Sequence, residues 1–129
     1  MKKDTYATPQ PVFDYLNREF NFDIDVCAED HTAKCYKYYT AEMDAFTKNW
    51  SNDGKICWCN PPYSNITPWV QKAISESYSG VTTVMLVMCD TSVGWFNLAR
   101  KKASEIRFIT GGRLSFDMDG IAQSGNNKG

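Results

Sequence analysis

The sequence predicts an α/β fold with a mostly parallel sheet flanked by helices, and three observations carry that prediction. Short apolar runs of strand length alternate with amphipathic segments of helix length along the chain. Residues 81–88 form a nearly unbroken apolar run, as in a strand buried on both faces of a parallel sheet. Residues 55–59 form another such run, which halts at Pro61 and Pro62 because proline cannot donate to a strand ladder.

Taken in order, residues 11–20 space Val12, Phe13, Leu16 and Phe20 at helical intervals, with Pro11 in the first turn, and predict an amphipathic helix. Residues 22–27 alternate apolar and acidic side chains and predict a short strand. Residues 28–50 carry mixed signals: Tyr36, Tyr38 and Tyr39 favour a strand, and residues 41–46 a short helical turn. Residues 55–59 are the next strand. Trp69, Val70, Ala73 and Ile74 then share one face of a helix that opens near Thr67-Pro68 and ends before Gly80. After the strand at 81–88 come a helix at 95–103, a strand at 105–109, a turn at Gly111-Gly112 and the stretch Arg113-Leu114-Ser115-Phe116. Residues 1–119 read as one domain, and residues 120–129, rich in Gly and Asn, as a loop or disordered tail.

A chain of 129 residues, 43% of them hydrophobic and 22% charged, can bury one ordinary globular core but has no length for a separate recognition domain. Its net charge of −1 gives no global basic field, so any nucleic-acid contact must come from a local patch. No apolar run suits a signal peptide or a membrane span, which predicts a cytoplasmic protein. The five cysteines are read as free thiols, with Cys57, Cys59 and Cys89 inside apolar runs. Cys57-Trp58-Cys59 lacks the spacing of a zinc knuckle and His31 is the single histidine, so no metal is expected.

The chemistry-bearing stretch is Asn60-Pro61-Pro62-Tyr63, followed by Ser64. An apolar strand delivers it to its own C-terminal edge, which is where open α/β sheets place ligands. These four residues in order arise by chance in such a chain on the order of once in a thousand or less. The residue types suit an exocyclic amine, whose lone pair is delocalised into its ring. Two acceptors facing its two N–H groups restore that lone pair, and the Asn60 side-chain oxygen and the Pro61 carbonyl can serve. Neither acceptor has to ionise, so no histidine or carboxylate pair is needed. Tyr63 can stack on a base, an interaction worth about 1–3 kcal/mol, which helps offset the cost of flipping that base out of a duplex. The plainer reading of the four residues is a strand exit with an Asn-capped turn and a surface Tyr.

This stretch resembles motif IV of amino-group methyltransferases, and the whole chain resembles the small phage-type DNA N6-adenine methyltransferases. The resemblance also rests on Thr8-Pro9, Phe22-Asp23-Ile24-Asp25-Val26-Cys27-Ala28, Tyr38-Tyr39-Thr40, Trp69-Val70 and Gly112-Arg113-Leu114-Ser115-Phe116. It implies a reduced Rossmann-like sheet that binds S-adenosylmethionine and acts on double-stranded DNA. Thr8, Pro9, Asp25, Cys27, Ala28 and Asp44 are then expected at the cofactor, with Glu42 an alternative to Asp44 for the ribose. Asn60, Pro61, Pro62 and Tyr63 are expected at the base. Ser64, Arg100, Lys101 and Arg113 are expected at DNA, with Lys102 and Arg107 near the same basic cluster and Asp90 at the same sheet edge.

The resemblance further implies the host-cell cytoplasm, a role such as protecting phage DNA from restriction, and another strand beyond Gly129. One departure stands out: the loop after the first strand, Cys27-Ala28-Glu29-Asp30, holds none of the glycines that usually let backbone approach this cofactor. Two other functions fit the motif: methylation of a glutamine side chain in a protein, and a catalytically silent DNA-binding or decoy module.

Overall fold

A computed structural model of the protein describes residues 8–109 and the backbone of residues 117–118 and 121–122. Helix α1 spans Gln10–Phe20, with a proline in its first turn. It ends where Asn21 turns left-handed, at φ 57°, and returns its N–H to the Asn17 carbonyl. Strands β1 (Ile24–Asp25), β2 (Lys37–Tyr38), β3 (Ile56–Cys59) and β4 (Thr82–Met85) form one sheet in the order β2-β1-β3-β4, with every pairing parallel. Helix α2 (Thr67–Ser77) connects β3 to β4, and α3 (Gly94–Lys102) follows β4 and packs on α2.

The β1–β3 register is held by one carboxylate: Asp23 accepts the backbone N–H groups of Lys55 and Ile56 at 2.8 and 3.0 Å. Gly54 makes that approach possible, since a Cβ there would sit 2.6 Å from the Cβ of Asp23. Side chains then alternate along β3. Trp58 meets Phe13 of α1 edge-on, at 5.4 Å between ring centroids, while Cys57 and Cys59 join the buried cluster that holds Trp50 and Trp69.

The three helices and strands β1, β3 and β4 stand where the sequence places them, mostly shorter than read. The mixed stretch resolves into β2 and three 3-10 turns, Ala41–Met43, Ala45–Thr47 and Trp50–Asn52.

Four expectations are corrected. The run at 81–88 is not buried on both faces: β4 has one strand neighbour among the described residues, Thr82 is exposed and residues 83–88 are half-buried. Residues 105–109 form no strand, although they alternate like one. Arg107 there is drawn to Glu19 of α1 at 2.6 Å and to Glu105 at 3.0 Å, over the Phe20 ring, and Ile106 and Phe108 stay exposed. Cys89 lies past the end of β4 and is exposed, not buried in a strand. Finally, residues read as tail contribute a strand, because β5 (Asp117–Met118) pairs antiparallel with β6 (Ile121–Ala122). Asp119-Gly120 between them is a strong hairpin signal in the sequence. The turn at Gly111-Gly112 and residues 113–116 lie outside the described residues. No helix among the described residues is long and apolar enough to cross a membrane.

Candidate active site

A cleft of about 420 Å³ opens at the C-terminal ends of β1 and β3, a size that suits a small-molecule ligand. One wall is built from strand ends. Asp25 is the last residue of β1, and Asn60 comes directly after the last residue of β3. The Asn60 side-chain nitrogen donates to the Thr8 hydroxyl at 2.9 Å, and Thr8 is buried just ahead of α1. Pro62 and Ser64 also line the cleft. The Pro62 carbonyl accepts the Asn65 N–H at 3.1 Å, closing the turn that carries Tyr63. Pro61, fully buried, and Tyr63, half-buried, do not line the cleft. Burial holds the Tyr63 phenol well above its ordinary range, so it stays protonated.

Asp25 organises the loop that has no glycines. Its two carboxylate oxygens accept the backbone N–H groups of Cys27 at 3.2 Å and Lys34 at 3.0 Å, pinning both ends of the loop. Burial pushes its carboxyl up to about 7, against the smaller opposing pull of those N–H groups and the Lys34 charge. The neighbouring Cys27 thiol is pushed up to about 12 by burial and by the charges of Asp25 and Glu29, so it is no nucleophile at neutral pH. Among the described residues, no group of three or more His, Cys, Asp or Glu side chains is placed to hold a metal.

The second wall is a loop. Asp44 sits left-handed at φ 54° and accepts the Phe46 N–H at 3.2 Å, which sets the turn Ala45–Thr47. Phe46 packs on Trp69 with ring centroids 4.5 Å apart, and both rings line the cleft. Behind them Trp50 is fully buried: its indole N–H donates to the Ala45 carbonyl at 3.0 Å, and its backbone N–H to Glu76 of α2 at 3.0 Å. Lys72 completes this support, bonding Glu76 at 2.7 Å and the Lys48 carbonyl at 2.6 Å.

Of the residues read as cofactor-binding, Thr8, Asp25, Cys27, Ala28 and Asp44 line the cleft. Pro9 does not; its carbonyl accepts the Val12 and Phe13 N–H groups at the start of α1. Arg100 and Lys101 occupy the last turn of α3 and do not line the cleft. About 9 Å of helix rise separates Arg100 from the first residue of α3. Asp90 bonds the Ser92 N–H and hydroxyl in a turn that leads to α3, away from the cleft lining. Arg113 lies outside the described residues. Phe46, Trp69 and Tyr39 were not read as site residues. They line the cleft. Tyr39 and Trp69 stand in stretches that carry the family resemblance, whereas Phe46 has no sequence signal beyond aromatic character in the loop that follows β2.

The parallel sheet, with its cleft at the strand ends and Asn-Pro-Pro-Tyr at the mouth of β3, defines an α/β domain of the methyltransferase class. More particularly, the chain belongs to the DNA N-6-adenine-methyltransferase (Dam) family, which it matches over residues 1–129. It is 44% identical over 117 residues to a DNA N-6-adenine-methyltransferase of Haemophilus phage HP1, covering 88% of this chain and 66% of that protein. It is 34% identical over 144 residues to the DNA N-6-adenine-methyltransferase of Escherichia phage T1, covering 98% of this chain and 60% of that one. It is also 35% identical over 71 residues to the putative methyltransferase YfdM of Escherichia coli K12, covering 51% of this chain and 74% of that protein. The chain thus spans less than two thirds of the length of its two phage relatives. No solved structure matches it.

Proposed function

We propose that this chain transfers a methyl group from S-adenosylmethionine to the N6 amino group of an adenine flipped out of DNA. The observation that carries the reading is the placement of Asn60. Asn60 stands at a strand end, its side-chain nitrogen tethered to Thr8, and lines a cleft of ligand size. The phage relatives' names and family membership support the same reaction.

The cleft fits the cofactor in chemistry as well as size. Glu29 and Asp44 give it acidic character suited to a cation, partly balanced by Lys34, and Phe46 and Trp69 offer aromatic surface for a purine. Asp25, Cys27, Ala28 and Asp44 would hold the cofactor, with Thr8 at the boundary towards the base. When bound, S-adenosylmethionine supplies an electrophilic methyl group on a sulfonium.

The Asn60 oxygen and the Pro61 carbonyl accept the two N–H groups of the adenine amine and return its lone pair to the nitrogen. The engagement of the Pro62 carbonyl by Asn65 supports giving the second acceptor role to Pro61. Tyr63 stacks on the base, and Ser64, exposed at the rim, meets the DNA strand. The proton lost from the amine leaves to solvent, since neither acceptor can keep it. Most of the rate then comes from orientation of the two reactants. The reaction belongs in the cytoplasm of the cell that holds the DNA.

The test is incubation of the purified protein with tritiated S-adenosylmethionine and unmethylated DNA, followed by nucleoside analysis. Label in N6-methyladenine is the expected result. Label confined to a glutamine of an added protein substrate would overturn the choice of substrate, and the absence of any cofactor binding heat would leave a silent DNA-binding module.

A further inference from the structure

We infer that Thr8 is a positioning residue for Asn60: its buried hydroxyl tethers the amide nitrogen, so that the amide oxygen is the end presented to the substrate amine. The inference rests on the proposed role of Asn60 as an acceptor. A carboxamide has two ends of nearly equal size, and the torsion that exchanges them has two broad minima. Only one orientation is useful here, because an amine offers N–H groups and the –NH₂ end of Asn60 would oppose them donor to donor.

The Asn60 nitrogen donates to the Thr8 Oγ at 2.9 Å, across 52 positions of sequence. Thr8 is 2% exposed, so water cannot take over its part of that bond. The Asn60 backbone follows directly on β3, whose ladder with β1 and β4 fixes where the side chain begins. With its base set by the sheet and its nitrogen set by Thr8, the carboxamide has one plane left to it. Thr8 also lines the cleft, which is where the sequence reading had placed it for a different purpose, as a contact to the cofactor. The two roles predict different behaviour. A cofactor contact controls cofactor affinity, whereas a tether for Asn60 controls the rate of the chemical step.

The test compares Thr8→Val, which keeps the shape and removes the hydroxyl, with Thr8→Ser, which keeps the hydroxyl. Three quantities are read on each folded variant: single-turnover methylation of DNA, S-adenosylmethionine affinity by calorimetry, and the Asn60 side-chain NH₂ signals by ¹⁵N-resolved NMR without cofactor or DNA. The expected result for Thr8→Val is a chemical step slowed roughly 10- to 100-fold, the range set by an unsatisfied buried donor. Its cofactor affinity stays within about threefold of wild type, and its Asn60 NH₂ signals shift and exchange faster. Thr8→Ser should restore both rate and signals. Unchanged rate and signals in Thr8→Val would overturn the inference, as would a loss of cofactor affinity that accounts for the whole rate effect or a Thr8→Ser variant as impaired as Thr8→Val. An inactive wild-type protein whose NH₂ signals still change only in Thr8→Val would overturn the proposed reaction while leaving the tether in place.

Discussion

The two walls of the cleft are built on different principles. The strand-end wall, with Asp25 and Asn60, inherits its position from a parallel ladder whose registers run through β1, β3 and β4. The loop wall, residues 39–47, keeps ladder bonds at Tyr39, whose N–H and carbonyl pair with Asp25 and Ala28. The turns beyond it have none and expose most of their side chains. It stands where it does because Trp50 grips Ala45 from behind and Glu76 of α2 grips Trp50. A wall fixed by backbone bonds tolerates side-chain changes structurally, so substitutions there should alter chemistry. A wall fixed by a few buried side chains should lose shape, affinity and stability together.

The largest effect that would break this contrast is expected at the loop wall. Trp50→Ala empties the centre of the core and should cost about 3–5 kcal/mol of stability. Any folded fraction should bind S-adenosylmethionine weakly. Denaturant unfolding paired with calorimetry checks both, and a stable variant with wild-type affinity would show that the loop holds itself.

Next in size is Asn60→Ala at the strand-end wall. Turnover should fall on the order of 100- to 1,000-fold, as when one preorganised hydrogen-bond group is removed from an active site. Cofactor affinity should remain near that of wild type, with a stability loss of about 1–3 kcal/mol because the buried Thr8 hydroxyl loses its partner. Retained turnover would remove Asn60 from the mechanism.

A smaller loss is expected from Tyr63→Ala, about 1–3 kcal/mol in binding of DNA that carries a flipped or unpaired adenine. The loss should not extend to S-adenosylmethionine. Equal losses for both ligands, measured by titration, would speak against stacking.

At Asp25 the measurable effect is a pH dependence of stability, and the raised carboxyl already includes the opposing pull of the N–H groups it accepts. Its carboxyl lies raised to about 7 in the folded protein, above the ordinary value of 3.8 that applies when unfolded. The folded state therefore keeps a proton that the unfolded chain has released. Stability from this group should decline as pH rises from about 4 through about 7 and level off above. Thermal melting between pH 5 and pH 8 should show that decline in wild type and a flatter profile in Asp25→Asn. Identical slopes would assign the pH dependence elsewhere.

Much of the fold was legible because its signals are local. The Asn60-Pro61-Pro62-Tyr63 stop, the proline-started helices and the period-two pattern along residues 22–27 each involve neighbours in sequence. The misreadings arose where a local pattern lacks the partner it needs. Residues 105–109 alternate as a strand does, yet Arg107 is committed to Glu19, 88 positions away. Residues 81–88 are apolar enough for a central strand, but centrality depends on neighbours on both sides, and β1 and β3 take the middle of the described sheet. At the site, residues within or beside strand ends could be named in advance. Phe46 and Trp69 could not, because they meet across a loop and a helix.

By itself the sequence determined the class of fold, the order of the three helices and of β1, β3 and β4, and the presence of Asn60-Pro61-Pro62-Tyr63 at a strand end, since all three follow from spacing along the chain. Tertiary structure alone decided that Thr8 holds Asn60 across 52 positions, that Glu76 holds Trp50 across 26, and that Asp25 pins the glycine-free loop with its carboxylate. The physical reason is the same in each case. A hydrogen bond between distant residues depends on where packing brings their backbones, and no local periodicity records that meeting.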